Sequence, residues 1–168
     1  MPPSDSSLPQ GPVKIASTDP SRLDAIHGWV HDQKYDPAEI RYNATERVLE
    51  LPFLCAAYRE VRGQRGVWPL ISWWWVPVVR GYLRVFTVRE YSVRDDGPGM
   101  INEISAPLPN QVRIAGISEI SALVDQFEVT LELGDRIIGW VRMRWLLFAE
   151  SESRIETHGV SDVLRSYE

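Results

Sequence analysis

The stretch FEVTLELGDRIIGWVRMRW, residues 127–145, carries the clearest two-residue periodicity in the chain. Apolar residues occupy every second position on both sides of Gly134, a pattern that predicts strands with one buried and one solvent-exposed face. We expect the two halves to form a β-hairpin. A three-residue loop at 134–136 pairs apolar residues with each other and Glu128 with Arg142, whereas a two-residue turn would pair apolar positions with charged ones.

Other alternating segments extend the expected sheet. Residues 39–43 and 47–53 flank a polar turn and predict a second hairpin. Residues 82–93 predict a long central strand, and residues 112–117 predict a further strand. Residues 118–125 fit either a helical turn or an extended connection. The expected fold is mainly β, bordering on α+β, with about seven or eight mostly antiparallel strands in a bent sheet, a sandwich or a partly open barrel.

One helix is expected near the N-terminus. Asp19 precedes Pro20, which suits an N-cap followed by the first helical position, where the missing N–H of proline does no harm. Apolar residues follow at helical spacing as far as Val30, so the helix should run to about His31. Its apolar stripe should cover one end or face of the sheet.

The chain of 168 residues is long enough for one domain with a substantial core. Residues 1–19 are rich in proline and serine and have few large apolar side chains, so we expect a disordered N-terminal tail. Residues 20–150 should form a single mainly β domain. Residues 151–168 are polar and should form a C-terminal tail, in which Ser161 could cap a short helix.

Composition favours a reducing compartment. Cys55 is the only cysteine, so no disulfide can form within the chain, and the first residues have neither the basic start nor the apolar run of a secretory signal. The longest uncharged apolar stretch, residues 67–79, has 13 residues, against roughly 20 for a membrane-spanning helix. We therefore expect a soluble protein of a bacterial-type cytoplasm, with no membrane association.

Charge is unevenly distributed along the chain. The formal net charge is −5, yet residues 58–94 contain seven arginines and two acidic residues, so this segment carries +5 and the remainder −10. A basic segment of this kind could bind an anionic ligand or nucleic acid. The same asymmetry arises when basic and acidic parts of one sheet pair across strands, and we prefer this second interpretation.

Two histidines and one cysteine are candidates for chemistry. His27 and His31 lie four residues apart on the expected helix, a spacing that can bring two imidazoles to one metal ion. No HExxH motif is present, and we expect both histidines to flank a docked helix without a bound metal. Cys55 lies in an apolar run, which is typical of an inert buried thiol.

Two glutamates in the stretch at residues 127–145 are a further candidate for catalysis. Glu128 and Glu132 lie on one face of the expected strand and could share acid and base roles. Cross-strand ion pairs with Arg142 and Arg144 explain them more simply. The chain has no phosphate-binding, dinucleotide-binding or nucleophile-elbow motif, so we expect no cofactor and no catalytic activity.

The aromatic and basic middle of the chain is the remaining candidate site. Three consecutive tryptophans cannot all point to one side of a strand, so we expect Trp74 to be more exposed than Trp73 or Trp75. Indole and guanidinium groups provide a large contact area and often anchor interfaces. The candidate binding residues are Trp73, Trp74, Trp75, Arg80, Tyr82 and Arg84.

The sequence thus predicts a non-enzymatic module that binds a protein partner, or a second copy of itself, through an aromatic and arginine face. The first alternative is a nucleic-acid or anionic-ligand binder that uses residues 58–94. The second alternative is a hydrolase-type enzyme with a site near His27 and His31.

Overall fold

The computed structural model describes residues 9, 11–56, 63–67, 71–97, 99–146 and 149–157. For residues 56, 64–67, 71–74, 76, 138–146 and 149–157 only the backbone is described. Within these ranges the chain forms thirteen β-strands, one α-helix and two 3-10 helices. The strands are β1 (Val13–Ser17), β2 (Lys34–Tyr35), β3 (Arg41–Asn43), β4 (Val48–Ala56), β5 (Gly63–Val67), β6 (Ile71–Val85), β7 (Val88–Arg94), β8 (Gly99–Met100), β9 (Glu103–Ser105), β10 (Gln111–Ala115), β11 (Glu119–Val124), β12 (Val129–Leu146) and β13 (Ala149–Thr157). The α-helix α1 spans Asp24–Val30, and the 3-10 helices span Pro20–Arg22 and Pro37–Glu39.

The strands form two sheets. The nine-stranded sheet has the order β1-β12-β6-β4-β2-β8, with β13 beside β12, β3 beside β4 and β5 beside β6, and the four-stranded sheet has the order β7-β11-β10-β9. The described registers are antiparallel, and neither sheet closes into a barrel within the described strands. The predicted mainly β, antiparallel class with one helix is confirmed. Strands outnumber the prediction partly because β2 and β8, of two residues each, are too short to show a periodicity.

The chain divides into two compact units. Unit 1 contains Pro12–Leu54 and Arg80–Gly134, and it holds strands of both sheets, as in a sandwich-like fold. Unit 2 contains Cys55–Val79 and Asp135–Glu168, as far as these are described, with the short segment Asp5–Gly11. The predicted single domain from residue 20 to residue 150 stays a prediction.

The hairpin predicted at 127–145 is wrong, because β12 is one uninterrupted strand of 18 residues. Gly134 has no positive φ and makes no turn. The alternation has the same phase on both sides of this glycine, which is also the pattern of one long strand. The first part of β12 pairs with β1 and a later part pairs with β13, so Arg142 lies opposite Arg154 and not opposite Glu128.

Strands β1 and β13 lie in segments for which the sequence predicted tails. Val13 of β1 lies opposite Leu133 of β12, and Ser17 lies opposite Val129. Five residues with only two large apolar side chains carry too little signal to be recognised as a strand before their partner is known. The short helix considered near Ser161 falls outside the described residues.

The predicted N-terminal helix is present, but its first turn is a 3-10 helix. The Asp19 carboxylate caps this turn by accepting a 2.9 Å hydrogen bond from the backbone N–H of Ser21. The helix α1 ends where the N–H of His31 donates to the carbonyl of His27. Ile26 is fully buried, as its helical spacing predicted. Within the described ranges, no helix has both the length and the apolar character that spanning a bilayer would take.

The predicted hairpin around residues 44–47 is confirmed by the pairing of β3 with β4, in which Arg41 lies opposite Glu50. The long strand predicted at 82–93 is split, since the chain leaves β6 after Val85 and enters the second sheet as β7. The ambiguous segment at 118–125 contains strand β11. Local alternation thus identified extended backbone but not the corner between two sheets.

The core of unit 1 is formed by alternate residues of its strands. On β6, Leu83 and Val85 are buried, and Gly81, two residues before Leu83 on the same side of the strand, allows close approach of neighbouring side chains. A Cβ added to Gly81 would lie 2.4 Å from Cζ of Phe53 and 2.9 Å from Cδ2 of Leu133. Since both contacted side chains are buried, neither can move into solvent to make room.

We predict that Gly81→Ala lowers the free energy of unfolding by about 1–3 kcal/mol, because the added methyl group overpacks the core. Gly11→Ala is the control, since a Cβ at Gly11 meets nothing within 4 Å, and its effect should stay within about 0.5 kcal/mol. Urea unfolding followed by tryptophan fluorescence measures both. Equal stability of the two variants would mean that the approach at Gly81 is looser than described.

Candidate functional site

One side of the part of the nine-stranded sheet that belongs to unit 1 carries mainly polar side chains that are exposed or partly exposed. Alternation on β6 places Arg80, Tyr82 and Arg84 on the side opposite the buried Leu83 and Val85. Residues of β1, β3, β4 and β12 lie on the same side by register or by contact. We call this surface the outer face, and it consists of Lys14, Arg41, Asn43, Glu46, Val48, Glu50, Arg80, Tyr82, Arg84, Phe86 and Glu132.

Arg84 is held between two carboxylates at the middle of the outer face. Its Nε lies 2.7 Å from Oε2 of Glu50 on β4, and its Nη1 lies 2.7 Å from Oε2 of Glu132 on β12. Burial opposes the charge of this guanidinium, yet the hydrogen bonds that it donates to the two glutamates, together with their negative charge, raise the pKa of Arg84 above its usual value. The guanidinium carbon also lies 5.1 Å from the centre of the Tyr82 ring. Arg84 is therefore fixed in position before any ligand arrives.

Charged residues alternate in sign across five strands of the outer face. Arg41 on β3 lies opposite Glu50 in register, and Lys14 on β1 lies opposite Glu132. With Arg84 at the centre, the row reads positive, negative, positive, negative, positive, and it extends over about 19 Å at the usual strand spacing. Among the described residues, Arg41 and Lys14 form no ion pair, so the row ends in an uncompensated cation on each side.

A pocket of about 290 Å³ opens on the outer face at the Arg41 end of the charge row. Phe86 and Val48 provide partly exposed apolar surface, and charged or amide side chains provide the rest. The pocket is lined by Arg41, Asn43, Glu46, Val48, Glu50, Arg84 and Phe86. A cavity with apolar surface and a few placed polar groups can bind a small ligand or one residue of a peptide.

The turn between β3 and β4 fixes one side of this pocket. The Asn43 side-chain oxygen accepts hydrogen bonds from the backbone N–H groups of Thr45 and Glu46, at 3.0 and 3.1 Å. The Asn43 amide in turn donates to Oε2 of Glu46 at 3.0 Å. These bonds orient the Glu46 side chain at the rim, because a turn with three bonds to one asparagine has little conformational freedom.

A strained corner lies next to Phe86, where the chain passes from β6 to β7. Thr87 has φ 53° and Arg47 has φ 57°, and both values are unusual for residues with a Cβ, above all for a β-branched one. The Arg47 guanidinium donates to the Thr87 carbonyl at 3.0 Å and forms an ion pair with Asp125. The Asp125 N–H donates to the same Thr87 carbonyl, so these three residues hold the corner in place.

The six binding residues predicted from the sequence fall into two groups. Arg80, Tyr82 and Arg84 belong to unit 1 and lie together on the outer face. Trp73, Trp74 and Trp75 belong to unit 2 and lie on β6, paired with β5. Trp75 is partly exposed. The side chains of the other two tryptophans are outside the described set, so the expected exposure of Trp74 stays a prediction.

The cross-strand ion pair predicted for Glu132 with Arg142 or Arg144 is wrong, because this glutamate pairs with Arg84 on β6. Arg142 and Arg144 lie further along the continuous strand β12, opposite residues of β13. Arg41 and Glu50 belong to the outer face but were not among the binding residues predicted from the sequence. Their alternation within the first hairpin was readable, but which strands lie beside that hairpin was not.

His27 lies on α1, and His31 is the residue at its C-terminal cap. The rings of His27 and His31 are 5.1 Å apart and meet edge to face. His27 Nε2 lies 3.1 Å from the Asn102 carbonyl, and His31 Nδ1 lies 3.0 Å from the Asp32 carboxylate. In the part of the chain that is described, no group of three or more histidine, cysteine, aspartate or glutamate side chains could hold a metal ion.

The basic segment is largely neutralised where its side chains are described. Arg89 lies 3.1 Å from the Asp125 carboxylate, and Arg94 lies 2.6 Å from that of Asp96. Arg84 and Arg94 also pair with glutamates of other strands, which agrees with the cross-strand explanation of the charge asymmetry, whereas Arg94 and Asp96 form a local pair two positions apart.

Comparison of the chain with protein-family models, with curated proteins and with solved structures finds no match. The geometry of the outer face is therefore the basis of the functional argument.

We predict that Arg84→Met lowers the free energy of unfolding by about 1–3 kcal/mol, because it leaves Glu50 and Glu132 without their shared cation. In a Glu50→Gln/Glu132→Gln background the same substitution should cost clearly less. Arg22→Met is the control, since Arg22 is a surface residue whose ion pair is solvent-exposed. Urea unfolding of the set provides the comparison. An equal loss in both backgrounds would assign the effect to packing of the side-chain stem rather than to charge.

We predict that Cys55 is unreactive in the folded protein. Burial raises the pKa of its thiol to about 12, so the thiolate that reacts with disulfides is nearly absent at pH 8. Labelling with Ellman's reagent at pH 8 should proceed at least about 100-fold faster in concentrated urea than in buffer. Rapid labelling of the native protein would contradict the buried position of Cys55.

Proposed function

We propose that the protein is a non-enzymatic binding module that contacts a partner protein through the outer face. The observation that carries this proposal is the arrangement at its centre, where two ion pairs and a ring contact hold Arg84 beside Tyr82. Arginine and tyrosine are enriched among the residues that dominate interface energies. A side chain already fixed in its bound position loses little entropy on association, which raises its contribution to affinity.

The charges of the outer face favour a protein over nucleic acid. A nucleic-acid surface requires an excess of cations along the phosphate backbone. Carboxylates in the middle of the outer face would repel phosphates, while an alternating row suits a protein surface with charges of both signs. The cations are Lys14, Arg41, Arg80 and Arg84, and the carboxylates are Glu46, Glu50 and Glu132.

The proposal assigns no reaction and no cofactor to the chain. It places the protein in a reducing, bacterial-type cytoplasm, because a single cysteine whose thiol is buried suits that compartment. A second copy of the chain is one form that the partner could take, since most oligomers of soluble proteins are homo-oligomers.

Site-specific photocrosslinking tests the proposal. A benzophenone amino acid replaces Tyr82 on the outer face in one variant and Leu108 in the other. Leu108 is 55% exposed and lies in the loop between β9 and β10, so it is the matched control. Irradiation of cells expressing each variant should give a discrete adduct from position 82 and none from position 108. An adduct of twice the chain mass would identify a homodimer. Absence of an adduct from position 82, or the same adduct from both positions, would contradict the proposal.

A further inference from the structure

We propose that the pocket beside Arg41 binds the C-terminal residue of the partner polypeptide, and that this residue has an apolar side chain. The inference rests on the proposed function and specifies the chemistry that the same face recognises. Three features of the pocket carry it: a guanidinium with no ion pair among the described residues, an oriented carboxylate and an apolar wall.

The guanidinium of Arg41 is available for a carboxylate. Its register partner, Glu50, would be the natural ion-pair partner across the strands. Glu50 instead bonds to Nε of Arg84 at 2.7 Å, and Arg84 also engages Glu132. Arg41 therefore lines the pocket with no ion pair among the described residues. A guanidinium binds a carboxylate through two parallel N–H···O bonds, so the carboxylate of a chain terminus fits Arg41.

The Glu46 carboxylate suits the N–H group of the same ligand residue. The Asn43 amide donates to Oε2 of Glu46, while Oε1 of Glu46 accepts no hydrogen bond within the described part of the chain. The Asn43-bonded turn holds Glu46 at the rim of the pocket that Arg41 also lines. A cation for the α-carboxylate and an acceptor for the adjacent backbone N–H together define the polar end of a terminal residue. An internal aspartate or glutamate also has a backbone N–H, but its carboxylate is the side chain itself, so it brings no apolar side chain to the pocket.

The apolar wall and the size of the pocket set the remaining specificity. Phe86 and Val48 are both partly exposed, and their surfaces would be covered by an apolar ligand side chain. A volume of about 290 Å³ is at the lower end of ligand pockets, which accommodates one residue rather than a folded segment. Leucine and phenylalanine are the residues of suitable size and polarity.

Peptide binding by the full chain tests the inference. The probes are acetyl-Ala-Ala-Ala-Leu and acetyl-Ala-Ala-Ala-Phe, each as the free acid and as the C-terminal amide, measured by calorimetry. Each acid should bind about tenfold or more tightly than its amide, because the amide cannot form the bidentate pair with Arg41. A leucine peptide with an N-methylated terminal residue should also bind more weakly, since it has no N–H for Glu46.

Two variants locate the binding within the outer face. Arg41→Gln should lower affinity for the acids about tenfold or more and leave the amides unchanged. Arg22→Gln should change neither, because Arg22 is a solvent-exposed arginine of the first 3-10 helix and does not line the pocket. Circular dichroism of both variants checks that they fold.

Four results would overturn the inference: no binding of either acid at millimolar concentration, equal binding of acid and amide, equal losses in the two variants, or free leucine binding as tightly as the peptide acid. The last result would assign the pocket to a free amino acid. If only the pocket assignment is wrong, position 82 still gives a crosslinked adduct. If position 82 gives no adduct, the proposed function is wrong as well.

Discussion

A guanidinium that is only about one quarter exposed must find partners for its charge, and this requirement organises the outer face of unit 1. Arg84 meets it with one glutamate from each of two other strands, so a single residue of β6 contacts β4 and β12 at once. Glu50 pairs with Arg84 and not with Arg41, although Arg41 lies opposite it in register. Within the described part of the chain, the row therefore has both of its carboxylates paired with the central cation, while Arg41 at its end forms no ion pair.

Features that depend on neighbours in sequence could be predicted from the sequence. The cap at Asp19, the buried stripe through Ile26 and Val30, and the hairpin of β3 and β4 all follow from residues within a few positions of each other. The antiparallel, mainly β class follows in the same way, because alternation reports the local backbone whatever the strand order is.

Features that depend on distant partners could not be predicted. Alternation through Gly134 is compatible with a hairpin and with one long strand, and only the position of β1 and β13 decides between them. The pair of Arg84 with Glu132 spans 48 positions, so no local pattern indicates it. The pocket depends on the same long-range order, since its wall at Phe86 and its rim at Glu46 come from different parts of the chain.

The backbone corner at Thr87 influences the shape of the pocket, because it adjoins the lining residue Phe86. Phe86 is the last residue before that corner, so the direction of its ring depends on a backbone conformation that Arg47 and Asp125 maintain from outside the pocket. Substitutions in this group of residues would move the aromatic wall while leaving the lining residues unchanged. During divergence, the ligand preference of such a protein can therefore drift through positions that never touch the ligand, and identity of the lining residues between two relatives would not guarantee a shared specificity.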